Sequence, residues 1–175
     1  MDVFLEYLLE KKSTMMDVLK KLGVILAAFV LMIIVINILA MFGPFVTSYM
    51  PLFLAGIVYA AYIVMRNFNL EYEYIFTNGD LDIDIIKSRK VRKRLTNLNT
   101  KQIEIMARKD NDVYKRDFES EAIAKKYNAV YDPSKGDIFC VNYNVDGVRS
   151  MLTFQPPEKL AEAMKKMNPR AVILD

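Results

Sequence analysis

"LEYEYIFTNGDLDIDIIK", residues 70–87, decides the fold of the part of this chain that lies outside its apolar segments. Apolar and acidic residues alternate on both sides of Asn78-Gly79. A period of two places each set on its own face of a strand. Asn-Gly between two such runs indicates a two-residue type I′ hairpin, because both central residues need positive φ. The turn sets the register. Thr77 lies opposite Asp80, Phe76 opposite Leu81, Ile75 opposite Asp82, Tyr74 opposite Ile83, Glu73 opposite Asp84 and Tyr72 opposite Ile85. Tyr72, Tyr74, Phe76, Leu81, Ile83 and Ile85 then form an apolar core face. Glu71, Glu73, Asp82 and Asp84 share the outer face, where they repel unless a neighbouring strand brings positive charge.

The following segment, "SRKVRKRLTNL", brings that charge. With a turn around Lys87–Lys90, Asp84 is expected near Lys93 and Asp82 near Leu95, with Arg92 and Arg94 diagonal to the acids. The basic run is also the main candidate for binding. Arg89, Lys90, Arg92, Lys93 and Arg94 are candidate contacts for anionic lipid headgroups or a protein partner, with Lys90, Arg92 and Arg94 one set able to point outward together. Such contacts contribute about 1 kcal/mol per basic residue close to a membrane surface. The alternative is intramolecular pairing of these bases with Glu71, Glu73, Asp82 and Asp84.

Location follows from the segment before the hairpin. From Leu22 to Met65 there is no Asp, Glu, Lys or Arg in 44 residues. A hydrocarbon core takes about 20 residues of helix, so the stretch reads as a transmembrane hairpin of two spans, about 22–42 and 45–65. Gly43, Pro44 and Pro51 favour a turn between them. Asn37 is the strongly polar residue of the first span. Tyr49, Tyr59 and Tyr62 are candidate interface anchors, and Gly56 and Ala60 form a small-xxx-small pair. Lys11, Lys12, Lys20 and Lys21 precede the spans and Arg66 follows them, whereas the connection has no base. Both termini are therefore expected in the cytoplasm.

Residues 1–21 place Phe4, Leu5, Leu8 and Leu9 at helical spacing among acids and lysines. The pattern admits an amphipathic helix on the inner membrane surface, a cytoplasmic start to the first span, or packing on the soluble domain. Beyond the basic strand, further strands are expected at about 102–108, 137–143 and 148–154, with "NVDG" turning between the last two. A short helix is expected within 117–126, with Asp117 as its cap. "QPPEKLAEAMKKMNPR" fits a closing helix with Leu160, Met164 and Met167 on its buried stripe.

Taken together, two spans leading into "EYEYIFTNGDLDID", a basic strand, "NTKQIEIMA", the hairpin "DIFCVNYNVDGVRSMLTF" and the helix "PPEKLAEAMKK" resemble bacterial membrane proteins that carry a pleckstrin-homology-like (PH-like) domain, more narrowly a family of two-span proteins from Gram-positive bacteria. The resemblance covers about residues 20–168. It implies an α+β, mainly β domain over 68–175: a seven-strand split β-barrel capped by a C-terminal helix. The segment 109–136 is longer than a simple hairpin connection.

Composition limits the chemistry. The chain has no histidine, which excludes histidine triads and imidazole metal sites. Its sole cysteine, Cys140, lies in an apolar run and reads as a buried strand residue. Asp80, Asp82 and Asp84 superficially suggest a calcium loop, but an EF-hand needs glycine at its sixth position and a bidentate acid at its twelfth. Here those positions are Ile85 and Val91. No phosphate loop, nucleophile elbow or zinc spacing is present. A net charge of +3 with no aromatic stacking platform argues against nucleic acid. The expectation is a non-catalytic, cofactor-free binding or scaffolding module anchored in the bacterial inner membrane. It would engage anionic lipid headgroups or a membrane or cytoplasmic protein partner, with oligomerisation open. The alternatives are a structural subunit of a larger membrane complex and an unrecognised enzyme.

Overall fold

The computed structural model describes residues 3–174, so the outermost residues of the 1–21 segment and of the 68–175 domain lie outside it. The chain divides into two compact units. One takes the residues up to Lys12 together with those from Leu70 onward, and the other is Ser13–Asn69. The helical unit is thus an insertion in the sequence of the β unit.

In the helical unit, α1 spans Met15–Met41, α2 Pro44–Thr47 and α3 Met50–Arg66. Helix α1 begins well before Leu22 because Thr14 and Asp17 close a reciprocal capping box. Its apolar side chains, among them Ile25, Phe29 and Ile33, stand exposed. With 27 residues and a mean hydropathy of 3.1 over its most apolar stretch, α1 is long and apolar enough to cross a membrane. The expected second span, 45–65, is not one helix. Pro44 opens α2 and Pro51 lies in the first turn of a separate α3, which leaves α3 apolar but only 17 residues long. Helices α1 and α3 lie in contact. The polar side chains bond within the unit: Asn37 Nδ2 donates to Ile33 O at 2.8 Å, Thr47 Oγ1 to Gly43 O at 2.9 Å and Ser48 Oγ to Pro44 O at 3.0 Å.

The β unit holds two four-stranded sheets. The first has the order β1 (Phe4–Glu10), β2 (Leu70–Thr77), β3 (Asp80–Lys87), β4 (Val91–Asn99), antiparallel throughout. The second has the order β5 (Ile103–Arg108), β7 (Phe139–Val145), β8 (Val148–Phe154), β6 (Lys125–Ala129), with β6 parallel to β8. Every pairing expected for the Asn78-Gly79 hairpin is present. Asn78 and Gly79 have φ of 49° and 101°. Gly79 is required twice, since a Cβ there would also come within 3.0 Å of Thr100 Oγ1.

The two sheets share one core. Tyr74, Phe76, Leu81, Ile83 and Leu98 meet Val141, Leu152 and Phe154, with Leu160 and Met164 of the closing helix α5 (Glu158–Met167). Tyr74 Oη donates to Ala129 O at 2.5 Å, and Thr96 Oγ1 and Tyr143 Oη are 2.6 Å apart, tying one sheet to the other. Among the described residues no barrel closes; the expected split barrel is two sheets around a common interior.

Four expectations need correction. Residues 4–10 form a strand that packs on the β domain, the last of the three placements considered, and not a surface helix. Leu5, Tyr7 and Leu9 alternate inward against Phe76, Tyr74 and Tyr72, and the otherwise open edge of β2 outweighs the helical spacing. β2–β8 match the implied seven strands in number, and β1 adds an eighth. The helix expected within 117–126 is a single turn, α4 (Lys115–Phe118), with Asp117 inside it, and residues 125–129 extend as β6. Met167 is exposed, so the buried stripe of α5 is Leu160, Ala161 and Met164.

Candidate functional site

The outer face of the first sheet carries the charged constellation. Glu6 and Glu10 of β1, Glu71 and Glu73 of β2, and Asp82 and Asp84 of β3 alternate away from the core. The arginines come from β4 and the turn before it. In that turn Ser88 and Arg89 both have positive φ, 53° and 55°, and Lys90 N donates to Lys87 O at 3.0 Å. A bulge then shifts the register between Ile83 and Asp84, so Leu95 is the extra residue of β4. Because Lys87 pairs with Val91, Asp84 faces Arg94 and not Lys93; the bulge adds one more residue, so Asp82 faces Asn97 and not Leu95.

Each arginine bridges two carboxylates. Arg89 Nε lies 2.7 Å from Glu71 Oε1, and its other end meets Glu10. Arg92 Nη2 is 2.5 Å from Glu73 Oε1, with Nε 4.0 Å from Asp84. Arg94 reaches Asp84 at 2.5 Å and Asp82 at 2.8 Å. Asn97 and Asn99 donate to Asp82 and Asp80. The acids were expected on an exposed face. Instead Glu71, Glu73 and Asp84 are buried, with side chains 10%, 4% and 5% exposed under exposed arginines.

This face is not positive: six carboxylates meet three guanidiniums. Burial raises the Glu73 carboxyl above its ordinary range. Arg92 opposes that shift, while Glu6 and Asp84 add to it. Glu73 Oε2 has no hydrogen-bond partner among the described residues.

Of the five candidate contacts, Arg89, Arg92 and Arg94 are held by this ladder. Lys90 and Lys93 are exposed, with no ion-pair partner among the described residues, and the same holds for Lys87. The turn thus presents Lys87, Lys90 and Lys93 around Val91, itself 60% exposed. Lys90, Arg92 and Arg94 do not form one free set. Sequence reasoning missed Glu6 and Glu10 because it did not place residues 4–10 beside β2. The signal was present in the inward alternation Leu5, Tyr7, Leu9.

A further buried acid, Asp132, organises the chain just past the C-terminal end of β1. Lys12 Nζ lies 2.7 Å from Asp132 Oδ2, and Ser134 N and Oγ bond Oδ1. The Lys12 and Ser134 bonds hold the Asp132 carboxyl down at about 2. Gln155 fixes the same loop, accepting from Asp132 N and donating to Asp132 O, each at 2.7 Å. Cys140 is buried on β7 as expected, and burial pushes its thiol up.

A family model described as "Bacterial PH-like domain (DUF6106)" matches residues 1–174. Comparison with curated proteins and comparison with solved structures each found no match.

Proposed function

Because the chain belongs to this family of bacterial PH-like domains, we propose that it is a non-catalytic binding module held at the cytoplasmic face of the bacterial membrane, whose β3–β4 turn contacts anionic lipid headgroups. The observation that carries the reading is the division of the basic run. The arginines are engaged with buried acids, whereas Lys87, Lys90 and Lys93 remain exposed beside an exposed valine. Three lysines near an anionic surface contribute about 3 kcal/mol, enough to orient a domain that is already tethered.

Tethering by two spans has a topological argument. β1 and β2 are neighbours in one sheet, and Lys11 N donates to Leu70 O at 2.9 Å. The chain therefore leaves and re-enters the β unit at adjacent points. If α1 crosses a bilayer, the chain must cross back before β2 can pair. At 1.5 Å per residue α3 covers about 26 Å, slightly short of an average core of about 30 Å, which calls for local thinning or a contribution from α2. Maleimide labelling of intact cells tests this. A cysteine at Ser48 should react with an impermeant reagent from outside, and one at Ser134 should not.

Hydrogen exchange tests the lipid contact on the full chain in nanodiscs. The amides of residues 87–93 should be protected in phosphatidylglycerol discs relative to phosphatidylcholine discs at low salt. That protection should vanish at high salt and in Lys90→Gln/Lys93→Gln. Equal exchange in both discs at low salt rules out the contact.

A second reading, a subunit of a membrane complex, is favoured by the apolar groove between α1 and α3, floored by Ala27, Ala28, Gly56 and Ala60. Small residues let another helix approach closely. Stoichiometric co-purification of another membrane protein, lost on Gly56→Leu, would support it.

A further inference from the structure

On the outer face of the second sheet, we propose a binding site for a small phosphomonoester with an apolar body, separate from the β3–β4 turn and independent of any contact made there. The sheet registers build its floor. Cys140 of β7 is opposite Thr153 of β8, and Thr153 is opposite Asn128 of β6, so the three form one row across the sheet. Asn128 uses its carbonyl oxygen to accept from Val130 N at 3.0 Å, and its amide N–H groups have no partner among the described residues. The Thr153 hydroxyl lies 3.7 Å from Cys140 Sγ, a weak contact that a better acceptor would displace.

The wall is the long connection between β5 and β6. It crosses the sheet at α4 and is pinned there. Phe118 packs with Ala107 and Cys140, and the fully buried Asn142 donates from Nδ2 to Asp117 O at 2.7 Å. Between this wall and the row lies a cavity of about 650 Å³. That is within the range of small-molecule sites, roughly 300–1,000 Å³.

Three lysines line it, Lys109, Lys115 and Lys126. Elsewhere in the unit, arginines and Lys12 hold buried acids. These three have no ion-pair partner among the described residues, although Asp110 and Glu119 line the same cavity. Three ammonium groups against two carboxylates leave a local charge of +1. With an amide and a hydroxyl as further donors, the lining suits a compact dianion that accepts several hydrogen bonds. Phe118, Ile138 and Met151 line the same space and offer apolar contact to whatever carries the phosphate. Burial of this kind favours an organic phosphomonoester over inorganic phosphate.

The test uses the full chain in phosphatidylcholine nanodiscs, titrated calorimetrically at fixed ionic strength with phenyl phosphate, inorganic phosphate and phenol. Phenyl phosphate should bind saturably and more tightly than inorganic phosphate, and phenol should not bind. Lys109→Gln and Lys126→Gln should each weaken phenyl phosphate about tenfold, roughly 1.4 kcal/mol, whereas Lys90→Gln should leave it unchanged. If a lysine variant melts early, Asn128→Asp is the second probe; it replaces the free amide by a carboxylate and should weaken binding at least as much. Phosphatidic acid doped into the same discs distinguishes the source. Competition with phenyl phosphate identifies a lipid headgroup, and no competition identifies a soluble phosphomonoester. Absence of saturable phenyl phosphate binding at millimolar concentration overturns the proposal. So does binding that neither the lysine variants nor Asn128→Asp alter.

Discussion

The outer faces of the two sheets use positive charge in opposite ways. On the first sheet, Arg89, Arg92 and Arg94 lie over carboxylates and each spans two of them. On the second, Lys109, Lys115 and Lys126 surround a cavity without pairing to the acids beside them. The difference follows from the side chains. A guanidinium offers several donors in a planar fork and can serve two carboxylates at once, while its stem covers them. An ammonium is a compact, strongly hydrated point charge on a flexible stem, readily left in solvent for a ligand. The β3–β4 turn repeats the contrast within eight residues, where the arginines face the sheet and the lysines do not.

Both faces belong to a unit completed by β1, and the largest expected effect tests that premise. A fragment that starts at residue 66 loses the inward contacts of Leu5, Tyr7 and Leu9. It should be less stable by on the order of 5 kcal/mol, which is comparable to the whole stability of a small domain. Joining Lys12 to Leu70 through a short Gly-Ser linker should restore the fold, because Lys11 and Leu70 are already hydrogen-bonded. Denaturant unfolding of the two proteins decides the matter; equal stabilities would make β1 an ornament.

Next in size is the arginine ladder. In the linked unit, Arg92→Ala and Arg94→Ala should each cost about 2 kcal/mol, less than for a fully buried pair because the guanidiniums are half exposed. Lys109→Gln, Lys115→Gln and Lys126→Gln should each stay within about 0.5 kcal/mol. Similar losses in both sets would erase the comparison.

Two of the buried carboxylates, Asp132 and Glu73, should respond to pH with opposite signs. Asp132 has a folded pKa lowered from 3.8 to about 2. Its contribution is fully present above 3.8 and is lost as pH falls through 2, and Lys12→Met should remove most of that acid-range loss. Glu73 is raised above 4.5. The folded state therefore holds its proton more tightly, and its favourable contribution at low pH is lost as pH rises through 4.5 and the raised value. Glu73→Gln should flatten stability against pH in that range and cost little at neutral pH. Thermal unfolding across pH 2–8 would show both, and a large neutral-pH loss in Glu73→Gln would mean that Arg92 outweighs burial.

How far the sequence reached depends on where the information lay. Asn78-Gly79 dictated a turn type, and the turn dictated every β2–β3 pair. The basic strand was placed correctly beside the acids, but the turn moved Asp84 from Lys93 to Arg94, and the bulge at Leu95 moved Asp82 a further residue, to Asn97; no residue there announces a bulge. β1 was obscured because its partner lies more than sixty residues away and Phe4, Leu5, Leu8 and Leu9 mimic helical spacing. Thr14 and Asp17 did carry a legible start for α1. The lysine cavity was not legible, since Lys109, Lys115 and Lys126 meet only once α4 crosses the sheet and β6 adds in parallel to β8.

The division between structural arginines and binding lysines is tested most directly by flotation of the linked unit with phosphatidylglycerol and phosphatidylcholine vesicles. At low salt the unit should float with the anionic vesicles alone. Lys87→Gln/Lys90→Gln/Lys93→Gln should abolish flotation without changing the melting temperature, and Arg94→Gln should lower the melting temperature while the remaining folded protein still floats. Flotation that survives loss of the three lysines, or that disappears with Arg94 in protein that is still folded, would contradict the division.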